Sequence, residues 1–170
     1  TILTWSQILK KEQLRSGELQ GGLEIIEKSA SHQAQLIDDL LDISKILSGT
    51  LVVNATAQSA VEITMAAIAS LVAMAAKRGI EILRQFEPDV TTVFADGGRL
   101  QQVLWNLISN AIKFSLQGGR VWVKLRQEGD WVQFVVSDQG VGIEPEYVPY
   151  VFDRFQQEDG SSSRRFEGLG

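Results

Sequence analysis

Between Arg99 and Ser115, Asn106, Asn110 and Lys113 recur at i, i+4 and i+7, a spacing that places them on one stripe if the segment is helical. The types suit a polyanion and its counter-ion: an amide oxygen is a hard, neutral donor for an oxygen-seeking cation, and an ammonium is a point charge for phosphate. Further on, Asp138-Gln139-Gly140-Val141-Gly142 sets a carboxylate before two glycines at the end of a strand-like run. Residues without a Cβ let a ligand or a second backbone approach closely. Each feature alone has a plain reading. Polar stripes are the ordinary outer side of amphipathic helices, and glycines after a strand are ordinarily a turn.

The elements that must position these residues follow from periodicity. Asp96 is the expected N-cap of a helix from Gly97 to about Ser115, with Val103, Leu104, Leu107, Ile108, Ala111 and Ile112 as its apolar face and Gly118-Gly119 as its breaker. Arg120 to Gln127 and Trp131 to Ser137 alternate with period two around Glu128-Gly129-Asp130, a hairpin signal. Upstream, Leu51-Val52-Val53, Ile80 to Phe86 and Thr91 to Ala95 read as strands, and Ser59 to Arg78 as an alanine-rich helix closed by Gly79. This part is α+β.

The first 48 residues contain no proline and read as helices. Leu19, Leu23, Ile26, Ala30, Ile37, Leu40 and Leu47 lie on a near-heptad seam, widened by Leu36, Leu41 and Ile43. A break at Arg15-Ser16-Gly17 divides a first helix, Ile2 to Leu14, from a second, Glu18 to about Leu47, which Ser48-Gly49 ends. An antiparallel hairpin of that size has too little apolar contact to stand alone, so a dimeric four-helix bundle is expected.

Composition narrows the classes. The chain has 170 residues, 44% apolar and 22% charged, with 3 prolines, which is globular rather than disordered or collagen-like. It has no cysteine and one histidine, so thiol catalysis, zinc–cysteine sites and His-rich metal sites are excluded. Sixteen Lys and Arg against 21 Asp and Glu leave a net charge of −5, which argues against a nucleic-acid partner. The longest strongly apolar run, Ile68 to Ala76, is shorter than the roughly 20 residues of a membrane span, and the N-terminus lacks a signal-peptide layout. A soluble segment without membrane contact is expected.

The run Arg99 to Ser115 is similar, almost letter for letter, to the asparagine box of sensor histidine kinases, in the ATPase superfamily that includes gyrase, Hsp90 and MutL. Asp138 to Gly142 resembles its first glycine box, Phe152-Asp153-Arg154-Phe155 its phenylalanine box, and Gly168-Leu169-Gly170 the opening of its second glycine box. Order and spacing match as well. Gln35 to Ser44 is similar to the second helix of the family's dimerisation and phosphotransfer domain. The resemblance implies a dimerisation and phosphotransfer hairpin over residues 1–49 and a histidine kinase ATP-binding domain over 50–170, a Bergerat-type α/β sandwich of GHKL type that is incomplete at its C-terminal end.

The cofactors it implies are ATP and Mg²⁺. Asn110 would offer its amide oxygen to the ion with Asn106 close beside it, Lys113 would meet phosphate oxygens, and Phe114 would flank the base. Asp138 would accept a hydrogen bond from the adenine amino group, favouring adenine over guanine. Gly140 and Gly142 would open the pocket floor, and Phe155, Gly168 and Gly170 complete the implied nucleotide-binding set. The polar run 156–167 would be a lid, with Arg164 and Arg165 as phosphate contacts.

The implied activity is ATP-dependent autophosphorylation of a histidine and transfer to an aspartate of a response regulator, in a cytoplasmic homodimer. The family's acceptor lies in a His-Glu-x-x-Arg-x-Pro sequence, absent here and expected just before Thr1, whose following residues resemble the part downstream of it. His32 does not match that motif, so no catalytic residue is assigned. Two other readings stay open: a non-catalytic dimerisation and interaction module, and a water-hydrolysing ATPase. Against the latter, Asn106 stands where hydrolytic relatives typically carry a Glu base, and an amide cannot take a proton from water at pH 7.

Overall fold

The computed structural model describes residues 2–9, 16–90 and 92–153. They form two compact units, Thr1–Val52 and Val53–Gly170.

In the first unit, α1 (Ile2–Leu9) packs on α2 (Ser16–Leu47). Residues 10–14, expected to finish the first helix, lie outside the described residues. The expected break is corrected in part: Ser16 and Gly17 already belong to α2, where first-turn N–H groups have no intrahelical partner and a weak helix former costs little. Gly49, at φ 66°, ends the helix, and the freed carbonyl of Lys45 accepts from Thr50 N at 2.9 Å. Along the seam, Leu19, Leu23, Ile37, Leu40 and Leu47 are all exposed, by 44% to 67%.

Leu51 to Val53, which straddle the boundary of the two units, are corrected from the expected strand to a segment without strand pairing; Val52 and Val53 are exposed, and without a sheet face to enter, β-branched residues do not make a strand by themselves. In the second unit, pairing starts at β1 (Thr56–Ser59), antiparallel to β3 (Thr92–Ala95), with Thr56 opposite Ala95. A separate sheet has the order β2 (Glu81–Phe86), β4 (Arg120–Glu128), β5 (Trp131–Asp138), parallel then antiparallel. Glu128, expected in the turn, belongs to β4, so the hairpin turns on Gly129-Asp130 alone with Gly129 at φ 59°. That two-residue loop matches the right-handed twist of its strands.

Helices α3 (Ala60–Lys77) and α4 (Gly97–Phe114) pack on each other and on this sheet. Ser59 caps α3 by accepting from Glu62 N at 3.2 Å. The α+β class expected for this unit is the one found. By length and composition α3 could span a membrane, which the nine-residue apolar run alone did not suggest. Its buried residues, including Ile63, Ala67, Ile68 and Leu71, are nevertheless spent on a core shared with Leu104, Ile108 and Ile112 of α4 and Val121 and Val123 of β4. Strand β4 alternates cleanly, with Val121, Val123 and Leu125 buried and Arg120, Trp122 and Lys124 less so, the pattern of a sheet with one covered face. The α4 crossover joins the parallel pair β2 and β4, a connection that needs a helix-length segment.

Candidate functional site

Everything at the site hangs on α4 and on how its two ends are held. At the N-terminus, Asp96 Oδ1 accepts from Arg99 N at 3.2 Å, and its Oδ2 accepts from Asn54 N at 3.2 Å. One carboxylate thus caps the helix and ties down the segment leading into β1. Bonds from the Arg99 and Asn54 backbones hold the Asp96 carboxyl below the usual carboxylate range.

At about 100° per residue, Leu104, Ile108, Ala111, Ile112 and Ser115 share one side of the helix, and all five are buried. Asn106 and Asn110 are exposed and Lys113 is half-buried, away from that core. The expected apolar face is corrected at two positions. Val103 and Leu107 are 53% and 43% exposed, because they lie roughly 100° from the buried stripe and fall in line with Asn110 and Phe114. Phe114 is 39% exposed. The polar edge is therefore bordered by an exposed apolar strip, Val103, Leu107 and Phe114. Sequence reasoning assigned two of the three to the core, although the same helical angles would have separated them.

The C-terminal end of α4 meets the glycine loop. Ser115 caps the helix, with its N–H and its hydroxyl both donating to Ala111 O, at 3.1 and 2.7 Å. An isolated antiparallel bridge then pairs Ser115 with Gly140. The approach is so close that a Cβ on Gly140 would stand 2.5 Å from Phe114 O and 2.6 Å from Asp138 Oδ1. Asp138 itself is exposed at the end of β5, and its Oδ1 accepts from Gly140 N at 2.8 Å, a turn closed by the residue's own side chain. Gly142 follows at φ 76° with open space where a Cβ would stand, a conformation costly for residues with a Cβ. The Lys113 Nζ lies 5.0 Å from the Phe114 ring centroid, within cation–π range.

The structure thus joins the last turn of α4, which carries Asn110, Lys113 and Phe114, to the loop carrying Asp138, Gly140 and Gly142. Asn106 lies one turn before Asn110 on the same helix. Phe155, Gly168 and Gly170, like Arg164, Arg165 and the 156–167 run, lie outside the described residues. His32 lies within α2. Among the described residues no three His, Asp or Glu side chains gather as a metal cluster. A divalent ion here would take the Asn110 amide oxygen and otherwise phosphate and water oxygens, a donor set that suits a hard ion which keeps several waters. Chemically, the arrangement offers amide oxygens and an ammonium beside an apolar strip, with an exposed carboxylate acceptor across the bridge.

Residues 95–170 match the family of histidine kinase-, DNA gyrase B- and HSP90-like ATPases, a segment that includes α4 and the glycine loop. The chain is 34% identical over 180 residues to hybrid signal transduction histidine kinase D of Dictyostelium discoideum, covering 88% of this chain and 12% of that protein. Among solved structures, full-length ShkA in complex with AMPPNP matches with a TM-score of 0.74 at 25% identity, over 95% of this chain and 35% of that one. ThkA in complex with the response regulator protein TrrA shares the fold at a TM-score of 0.69 and 22% identity, over 92% of this chain and 46% of that one. The chain spans less than half the length of each of these proteins. A glycine loop locked to an asparagine-bearing helix, within a matched ATPase segment and among relatives that are histidine kinases, belongs to a chain of the histidine kinase family, whose residues 95–170 match a GHKL-type ATPase domain.

Proposed function

We propose that the chain is the kinase portion of a two-component sensor that moves the γ-phosphoryl group of ATP onto a histidine and then onto an aspartate of a response regulator. Residues 1–49 serve as the dimerisation and phosphotransfer hairpin and 50–170 as the catalytic domain. The observation that carries the nucleotide reading is the Ser115–Gly140 bridge, which couples the asparagine stripe to the carboxylate loop.

In this reading Asp138 accepts from the adenine amino group, Phe114 with the neighbouring Val103 and Leu107 lines the apolar side of the ligand, and Lys113 neutralises phosphate oxygens. Asn110 holds Mg²⁺, with Asn106 beside it, and the bound ion would offset charge on the transferred phosphoryl group. Phe155, Gly168 and Gly170 complete the nucleotide contacts. Asn106 supplies no base for water, which favours transfer to a protein side chain over hydrolysis. The exposed seam of α2 fits a homodimer, since a stripe of leucines and isoleucines is a costly surface to leave in water. The response-regulator partner follows from kinship with histidine kinases and from the fold shared with ThkA bound to TrrA, and a cytoplasmic setting suits such a partner.

The test is titration with a non-hydrolysable ATP analogue, with and without Mg²⁺. Asn110→Ala should abolish the gain in affinity that Mg²⁺ confers. Asp138→Asn should remove the preference for adenine over guanine, a change of about tenfold or more for one lost charged hydrogen bond. Wild-type binding by both variants would reject the site.

A further inference from the structure

From the back of the site, we infer that Arg78 is a positioning residue for adenine recognition, acting through Ser115; this rests on the nucleotide reading above. Arg78 is the C-cap of α3 and is half-buried. Its Nη2 donates to Ser115 O at 3.0 Å, and its own carbonyl accepts from Gly118 N at 3.2 Å. The two contacts tie the end of α3 to the cap of α4 and to the turn that follows it. The first places a guanidinium on a carbonyl of the C-terminal cap of α4, where the helix dipole favours a cation.

Ser115 is thereby held on two sides, by Arg78 at its carbonyl and by Gly140 through the antiparallel bridge. Gly140 in turn donates to Asp138 Oδ1 at 2.8 Å. The chain of contacts from Arg78 to the carboxylate is continuous: guanidinium, Ser115, Gly140, Asp138. There is little slack at its middle, since not even a methyl group fits between Gly140 and Phe114 O. Removing the guanidinium frees the Ser115 carbonyl and lets the last turn of α4 drift against the glycine loop. The carboxylate then loses its fixed relation to the helix that carries Asn110. In this inference Arg78 acts through Ser115 and fixes where the groups that meet base and phosphate stand.

A purely structural role for Arg78 would lower the folded fraction and weaken ATP and GTP binding in equal proportion. A positioning role weakens ATP selectively, because adenine carries an amino donor at position 6, where guanine carries a carbonyl that Asp138 cannot bind. The experiment therefore measures the ratio of ATP- to GTP-analogue affinities, in the presence of Mg²⁺, for the full chain and for Arg78→Met, Arg78→Lys and Asp138→Asn. The expected result is a ratio reduced by about tenfold in Arg78→Met and largely restored in Arg78→Lys, which can still donate one charged hydrogen bond. Hydrogen exchange at residues 139–142 should speed up in Arg78→Met, a readout that stands even if nucleotide binding becomes too weak to measure. An unchanged ratio in Arg78→Met, together with unchanged exchange at the loop, overturns the inference while leaving the site intact, provided that Asp138→Asn removes the preference. If Asp138→Asn keeps the preference, the nucleotide reading itself falls, and this inference with it.

Discussion

Replacing Gly140 with alanine tests the junction on which the site depends. The added methyl would sit 2.5 Å from Phe114 O, 2.8 Å from Phe114 C and 2.6 Å from Asp138 Oδ1. The Asp138 carboxylate could rotate away at the cost of its hydrogen bond from Gly140 N, but the two Phe114 atoms are backbone and cannot step aside alone. Relief requires the loop and the end of α4 to separate by at least about 0.5 Å, an overpacking strain of roughly 1–3 kcal/mol. Unlike Gly142, Gly140 has no positive φ, so the cost is steric and not conformational. For a domain of this size the loss corresponds to a melting point lower by about 4–15 °C. The geometry further predicts that ATP-analogue affinity falls even at temperatures where the variant is fully folded. Gly142→Ala is the control: with open space around it and φ 76°, it should cost about 1–2 kcal/mol from backbone conformation without forcing α4 and the loop apart. Thermal denaturation by circular dichroism and calorimetric titration give both quantities. A Gly140→Ala protein with wild-type melting and wild-type nucleotide affinity would refute the reasoning, since the contact would then be absent in solution.

Two further predictions concern stability. Ile108→Ala should destabilise the second unit by about 2–5 kcal/mol, because Ile108 is 0% exposed at the centre of the shared core; a urea-midpoint shift worth less than 1 kcal/mol would show that the helix is not seated as described. Asp96 predicts a pH signature. Its folded carboxyl titrates below its unfolded value of about 3.9, so the stability it contributes is complete above that value and disappears as pH falls through the lower, folded one. Asp96→Asn keeps an N-capping side chain but not the charge, so its stability deficit should be constant at pH 5–7 and shrink below about pH 4; a deficit independent of pH down to 3 contradicts this.

Much of the second unit was legible as local pattern. The helix opened by Asp96, the alanine-rich helix closed by Gly79 and the hairpin around Gly129 each carry their own cap, breaker or alternation within a few residues, and each lies within a residue or two of its expected place. Leu51 to Val53 misled because a short apolar run becomes a strand only when a neighbour pairs with it, and here the neighbour, β3, takes Thr56 to Ser59 instead.

The chemical types and their order are written in the chain itself: two asparagines and a lysine on one stripe, a carboxylate before glycines, and the likeness to a kinase family that those residues carry. Helical and strand periods are short-range properties, so they could be read without a fold. It takes the fold to establish that Ser115 pairs with Gly140 and that Arg78 grips the carbonyl of Ser115. Those facts depend on which of several apolar faces wins the core and on contacts between residues 25 to 37 positions apart. Such contacts are set by the packing of whole elements, and no local pattern encodes them.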